Sequence, residues 1–166
     1  MRNLLLLSTM ILLFSCNNDD YNNEVTASDT TFITVESAKP SIENPAQFKN
    51  LVWLPVFDSA KGDFVIKQQR TVKADTLTAD KLISEINASW DGIKLELVKT
   101  SNDTIYVAVP ESTKLTQQMG SSGANSYMYS TTYILTELKN IKFVHFNFIE
   151  GDHLAPGTYK RSDFTN

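Results

Sequence analysis

The apolar residues between positions 51 and 149 repeat with two different periods, and this limits the folds that the chain can adopt. Apolar runs, or apolar residues that alternate with polar ones, predict strands, whereas apolar residues three or four positions apart predict helices. Turn residues such as Ser-Asn-Asp at 101–103 separate neighbouring strand segments and indicate a hairpin. The predicted strands are residues 51–57, 64–72, 93–98, 104–109 and 141–149.

Two helical segments interrupt these strands. Thr78 can cap a helix over residues 79–89, and a second helix over residues 124–138 ends before Asn140. The apolar faces consist of Leu82, Ile83 and Ile86 in the first helix and of Ala124, Tyr127, Met128, Thr131, Ile134, Leu135 and Leu138 in the second. This order predicts an α+β fold, with a mixed or antiparallel sheet of about five strands and both helices packed on one of its faces.

The first residues of the chain have the features of a secretory signal peptide. A short start that contains Arg2 is followed by the apolar segment Leu4–Phe14. This segment is too short to cross a bilayer, because a membrane-spanning helix needs about 20 apolar residues. We therefore predict that residues 1–15 are removed during export.

Cys16 is the only cysteine in the chain and follows the apolar segment directly. An intramolecular disulfide is therefore impossible, and a lone cysteine is unusual in an exported protein. The sequence Leu13-Phe14-Ser15-Cys16 resembles the lipobox of bacterial lipoproteins, in which the cysteine thiol receives a diacylglyceryl group. This resemblance implies lipidation at Cys16 and attachment to a membrane through the lipid.

Residues 16–48 are rich in Asn, Asp, Ser, Thr and Pro, and they predict a flexible acidic tether. Its first part, NNDDYNNEV, resembles the surface-export signal of Bacteroidetes lipoproteins, which implies an outer-membrane location with possible exposure at the cell surface. The predicted folded domain occupies residues 49–166. Removal of residues 1–15 changes the net charge from −4 to −5, and no cluster of Lys and Arg is present, so nucleic acid is not an expected partner.

Two segments of the predicted domain carry a family resemblance. VPESTKL (109–115) and YSTTYILTELKNIKFVHFNFIEGD (129–152) resemble the GerMN domain of bacterial sporulation and germination proteins and of envelope lipoproteins. The matching positions are Tyr133, Leu135, Thr136, Glu137, Val144 and Gly151, and residues 76–86 would match the helix that follows the first two strands. The resemblance implies a fold related to ring-building motifs, with a non-catalytic binding or scaffolding role in the envelope.

Two polar motifs contain residue types that occur in reactive sites. Glu150, Asp152 and His153 place three possible metal ligands in one turn, but no other residues complete a ligand set, so we predict a polar turn without metal. The segment GSSGA (120–124) differs from the G-x-S-x-G nucleophile motif and lacks the strand that precedes such a motif. His145 alternates with Phe143 and Asn147 and is expected to be hydrogen-bonded and partly exposed. No catalytic residue and no cofactor are predicted.

Three aromatic residues are candidates for a binding surface. Trp90 lies between a helix end and an Asp-Gly turn, where a half-exposed side chain is expected. Tyr129 lies off the apolar stripe of the second helix, and Tyr133 is the third candidate. We expect a non-enzymatic domain that docks an envelope protein through its sheet edge or through the Tyr129 side of the second helix. The alternatives are a domain that binds a small ligand or glycan, with a tryptophan at the wall of its cleft, and, less favoured, a hydrolase.

Overall fold

The computed structural model describes residues 45–164. The predicted signal peptide, the lipidation site Cys16 and most of the predicted tether lie outside the described residues. The last residues assigned to the tether, Pro45–Phe48, form a short 3₁₀ helix, and Phe48 is buried in the hydrophobic core with 3% of its surface exposed. The folded domain therefore includes these four residues, which precede the predicted start at residue 49.

Within residues 45–164, six strands form two separate sheets. Strands β1 (Trp53–Asp58) and β2 (Asp63–Gln68) make an antiparallel hairpin of their own. The second sheet has the order β3 (Glu96–Ser101), β4 (Thr104–Ala108), β5 (Phe143–Asn147) and β6 (Gly157–Tyr159). Its β4–β5 pair is parallel and the other two pairs are antiparallel. The predicted α+β class is confirmed, but β1 and β2 do not join the predicted single sheet.

The separate hairpin is consistent with Pro55 in β1. Proline has no backbone N–H to donate, so it is confined to edge strands, and both strands of a two-stranded sheet are edges. The hairpin packs on the second helix, where the Ser130 hydroxyl donates a 2.9 Å hydrogen bond to the backbone carbonyl of Trp53. Side-chain packing and this hydrogen bond therefore attach the hairpin to the domain in place of sheet hydrogen bonds.

The first helix closely follows the predicted bounds, whereas the second is shifted. Helix α1 (Ala79–Ser89) begins after Thr78, whose hydroxyl accepts a 3.3 Å hydrogen bond from the backbone N–H of Lys81. Helix α2 (Gly120–Leu135) starts four residues before the predicted position and ends three residues before it, and a π-helical turn, Lys114–Gln118, precedes it. The predicted stop Asn140 has a φ of 67° and lies in the reversal between α2 and β5.

The core lies between the helices and one face of the four-stranded sheet. In β4 and β5, Ile105, Val107, Val144 and Phe146 are fully buried, while the residues between them are partly or fully exposed. Six of the seven residues of the predicted α2 stripe are buried, and Leu138 is partly buried. The opposite face of the four-stranded sheet is therefore directed toward solvent. Within residues 45–164, no helix is long and apolar enough to span a membrane.

The largest fully buried side chain is that of Tyr127, whose hydroxyl has no hydrogen-bond partner of acceptable geometry within residues 45–164. Burial raises the pKa of Tyr127 above its ordinary value of 10, and the hydroxyl of Thr131 one turn away lowers it by a smaller amount. The side chain of Tyr127 is therefore neutral in the core, and its hydroxyl is a buried donor without an acceptor of good geometry among the described residues.

We expect Tyr127→Phe to stabilise the domain by about 1 kcal/mol at neutral pH, because an unsatisfied buried donor costs about 1–3 kcal/mol. Above pH 10 the unfolded tyrosine ionises while the folded one stays protonated. The native chain should therefore lose about 1.4 kcal/mol of stability per pH unit through this group, and the variant should lack that part of the loss. Urea unfolding of both chains at neutral pH and above pH 10 measures the two effects. A variant less stable than the native chain at neutral pH would show that the hydroxyl has a favourable partner.

Candidate functional site: the open face of the four-stranded sheet

The outer face of the four-stranded sheet carries one continuous row of polar and aromatic side chains. The strand register places Lys99 opposite Tyr106, Tyr106 opposite His145, and His145 opposite Thr158. Each strand therefore contributes one residue, and we call these four residues the cross-strand row. Tyr106 and His145 are half-buried on the two central strands, while Lys99 and Thr158 are exposed on the edge strands.

Direct contacts connect all four members of the cross-strand row. The Nζ atom of Lys99 lies 4.7 Å from the ring centroid of Tyr106, which is within the range of a cation–π interaction. The ring centroids of Tyr106 and His145 are 5.1 Å apart, and the ring planes are inclined by 45°. The Nδ1 atom of His145 is 2.8 Å from the hydroxyl oxygen of Thr158. These contacts hold the side chains in fixed orientations, so the row presents an ordered surface.

This face differs in charge from the chain as a whole, which has a net charge of −4. On the outward side of β3, the register places Lys99 and Glu96, and the carboxylate of Glu96 forms a 2.7 Å ion pair with Lys94. The cation of Lys99 has an aromatic ring as its neighbour rather than a carboxylate. The cross-strand row therefore offers one cation, two rings and hydroxyl groups to a partner.

The β3 edge of the sheet is less suited to binding than the open face. In β3 every residue is exposed, and Leu97 and Val98 are 40% and 57% exposed. The register shifts between Leu97 and Lys99, so that Val98 forms a bulge. A bulge and charged side chains on an edge strand oppose the addition of a further strand. Contact across the face is therefore favoured over extension of the sheet at this edge.

The three aromatic candidates of the sequence analysis occupy different environments. Trp90 is 7% exposed, because the rings of Phe48 and Tyr127 pack against it with centroids 5.0 and 5.4 Å away. The predicted half-exposed position of Trp90 is thus wrong. Tyr129 is half-buried under Phe164, whose ring centroid is 4.3 Å away. The C-terminal 3₁₀ helix, Arg161–Phe164, therefore covers the Tyr129 side of α2.

Tyr133, the third candidate, belongs to a cluster centred on Arg161. The guanidinium carbon lies 5.0 Å from the ring centroid of Tyr133 and 5.2 Å from that of Trp53. The guanidinium donates to the backbone carbonyl of Tyr133 at 2.9 Å and to the hydroxyl of Thr136 at 2.7 Å, and it forms an ion pair with Glu137. The indole N–H of Trp53 donates to the same carboxylate at 2.9 Å. We call these five residues the arginine clasp, and it fastens the C-terminal segment and β1 to α2.

The two polar motifs that the sequence analysis treated separately lie side by side in the structure. The hydroxyl oxygen of Ser121, at the start of α2, is 3.1 Å from Nδ1 of His153. The backbone N–H of His153 donates to the carbonyl of Thr116 at 3.1 Å, and Gly151 packs so closely on Thr116 that an added Cβ would lie 2.7 Å from its side chain. The turn at 150–153 is therefore packed on the chain segment that leads into α2.

This arrangement supports a structural role for the motifs. A serine nucleophile needs a base that is itself oriented by a third group, and no carboxylate of residues 45–164 hydrogen-bonds the other ring nitrogen of His153. In the same part of the chain, no three His, Cys, Asp or Glu side chains are grouped so that they could hold a metal ion. The Ser121–His153 contact and the close packing of Gly151 instead anchor the turn that follows β5.

Only part of the cross-strand row could be predicted from the sequence. The predicted state of His145 is confirmed, since it is half-buried and hydrogen-bonded. Its neighbours Lys99 and Tyr106 are distant in sequence, and only the strand register shows that they adjoin it.

Comparison with known proteins found no matching family model, no matching curated protein and no matching solved structure.

Proposed function

We propose that this protein is a lipid-anchored protein of the cell envelope, attached to the outer membrane through Cys16, whose domain has no catalytic role and docks another protein. The observation that carries the proposal is the cross-strand row, an ordered set of polar and aromatic side chains on an uncovered sheet face. Of the two surfaces expected from the sequence, the Tyr129 side of α2 is covered by the C-terminal segment, and the β3 edge carries a bulge and charged side chains. We therefore place the contact on the open sheet face instead.

The shape of the face favours a protein partner over a small ligand. Four strands that are about 4.8 Å apart and about five residues long present an area of about 300 Å². A stable protein interface buries about 800 Å² on each partner, so the partner must also contact surface beyond the strands. Val98, in the bulge next to Lys99, is exposed and supplies apolar area at the edge of this face. We therefore propose a weak, reversible contact with a folded surface that presents a carboxylate to Lys99.

Site-specific photo-cross-linking tests this proposal with the lipid-anchored chain in intact cells. A photoreactive residue at Asn147, which is exposed on the same face, should form an adduct with one envelope protein, whereas one at exposed Asn125 in α2 should not. Lys99→Glu should reduce the Asn147 adduct about tenfold, because a like charge placed opposite a carboxylate costs more than 1 kcal/mol. The matched charge reversal Lys61→Glu, in the β1–β2 turn, should leave the yield unchanged. Equal adducts at both positions, or a yield indifferent to Lys99→Glu, would rule out docking at this face.

A second candidate function, binding of a small ligand or glycan, is favoured by one observation. A shallow cavity of about 340 Å³ has Trp90, Asp91 and Lys94 among its lining residues. This matches the expected tryptophan at a cleft wall, although only 7% of Trp90 is exposed. The same cross-linking experiment separates the two functions, because a domain that binds only a small ligand yields no protein adduct that depends on Lys99.

A further inference from the structure

A second cavity lies at the C-terminal end of α2, and none of the residues of the cross-strand row lines it. It has a volume of about 420 Å³, within the range of sites for small molecules. Three segments meet there: the C-terminal end of α2, the start of β5 and the chain that follows β6. Its lining residues are Thr136, Ile141, Lys142, Phe143, Lys160, Arg161 and Ser162. We call this cavity the C-terminal cleft.

Three of the lining residues are cations and none is acidic. This is unexpected for a chain with 19 acidic and 15 basic residues. Lys142 has only a long 3.6 Å contact with Asp103, whose carboxylate does not line the cleft. No carboxylate of residues 45–164 lies within ion-pair distance of the Lys160 ammonium group, and Asp163 accepts only from the Lys160 backbone N–H. The positive charge of Lys160 is thus not neutralised by a direct neighbour.

Arg161 adds a fixed element to the cleft. Its hydrogen bonds to Thr136 and to the carbonyl of Tyr133, and the ion pair with Glu137, hold the guanidinium in one orientation. Its own charge is largely matched by Glu137, so the ligand-binding charge comes mainly from the two lysines. Ile141 and Phe143 provide apolar wall beside these cations. The cleft thus combines flexible ammonium donors, a rigid guanidinium and an apolar surface.

We propose that the C-terminal cleft binds a small organic anion. Its carboxylate or phosphate group bonds to Lys142 and Lys160, and its apolar part lies on Ile141 and Phe143. Charge-assisted hydrogen bonds of this kind are about twice as strong as neutral ones. The inference goes beyond the proposed docking function and does not depend on it, because none of the cross-strand row residues lines the cleft.

Calorimetric titration tests the proposal on the full chain at constant ionic strength, with inorganic phosphate, phenyl phosphate and benzoate as probes. Saturable binding of phenyl phosphate or benzoate is expected, with weaker binding of inorganic phosphate, which lacks an apolar part. The preferred probe identifies the acidic group. The double variant Lys142→Gln, Lys160→Gln should weaken binding at least tenfold. Arg161 is retained in this experiment because it also holds the fold together.

The matched control is Lys61→Gln, Lys67→Gln, which removes two exposed cations from the β1–β2 hairpin and should change affinity less than twofold. Lys99→Glu should likewise leave probe binding unchanged, which keeps this test separate from that of the docking face. The absence of saturable binding of all three probes, or equal weakening by the cleft and hairpin variants, would overturn the proposal. Unfolding curves of each variant confirm that the folded state is compared.

Discussion

A chain with Cys16→Ala should be lost almost completely from the membrane fraction and recovered in soluble fractions. In our proposal, attachment to the membrane depends on the lipid at Cys16. Each buried CH₂ of an acyl chain contributes about 0.8 kcal/mol, and two or more chains are needed for stable anchoring. A single sulfur atom is therefore expected to decide between tight membrane retention and free diffusion.

Cell fractionation measures the distribution, and mass spectrometry of the mature protein measures the modification. The matched control is Asn17→Ala, which leaves the cysteine intact and should remain in the membrane. Globomycin, which blocks removal of lipoprotein signal peptides, should lead to accumulation of a chain that retains residues 1–15. A mature native protein with an unmodified thiol, or one that still carries residues 1–15 in untreated cells, would refute the lipid anchor.

Arg161→Ala should cause the largest loss of stability among the surface substitutions considered, about 3 kcal/mol. The substitution removes an ion pair and two hydrogen bonds to α2, which we value at about 1.5 kcal/mol in total because 37% of the side chain is exposed. It also removes contacts with two aromatic rings, each worth about 0.5–1 kcal/mol at such a site. Finally, it leaves the half-buried carboxylate of Glu137 with only the indole of Trp53 as donor.

The chain offers a closely matched control in Arg70. Arg70 forms an ion pair with Glu85 at 2.6 Å and donates to the carbonyl of Asn50. The side chains of Arg70 and Glu85 are 36% and 18% exposed, and those of Arg161 and Glu137 are 37% and 19% exposed. No aromatic ring of the described residues stacks on Arg70. Arg70→Ala should therefore cost only the polar share, about 1.5 kcal/mol. Urea unfolding of both variants gives the contribution of the rings by difference, and equal losses would contradict the assigned role of the arginine clasp.

The arginine clasp includes three of the positions on which the family resemblance was based. Three of the matching positions, Tyr133, Thr136 and Glu137, all contact Arg161, and a fourth, Gly151, packs against Thr116. In this chain, the contacts with Arg161 and Thr116 explain why Tyr133, Thr136, Glu137 and Gly151 fit at these four positions. Because no family model matches the chain, membership of the GerMN family stays a prediction.

The local elements of the fold were predictable from local patterns. The helix cap at Thr78, the apolar face of α1 and the β3–β4 hairpin depend on residues close together in sequence, and all three are present. The start of α2 was missed because Gly and Ser at 120–123 favour a loop on propensity alone, while packing in the domain extends the helix through them. Strand β6 has only three residues, too few to display a period.

Features that depend on contacts between distant segments were not predictable. The separation of β1 and β2 into their own sheet, and the adjacency of Lys99, Tyr106, His145 and Thr158, follow from strand pairing, which a single sequence does not display. The burial of Trp90 has the same origin, because Phe48 approaches it from a segment assigned to the tether. The C-terminal cleft likewise combines residues from three separate segments.

The parallel pairing of β4 with β5 has a consequence for biogenesis. The partners are separated in sequence by the whole of α2, and β5 and Arg161 lie within the last quarter of the chain. The chain leaves a ribosome or a translocation channel with its N-terminus first. Both hairpin segments and both helices have therefore emerged before β5, the strand that pairs with β4. Closing such a distant contact is slow compared with forming local ones. We therefore expect the nascent domain to stay open, with apolar surfaces exposed, until β5 and Arg161 have emerged.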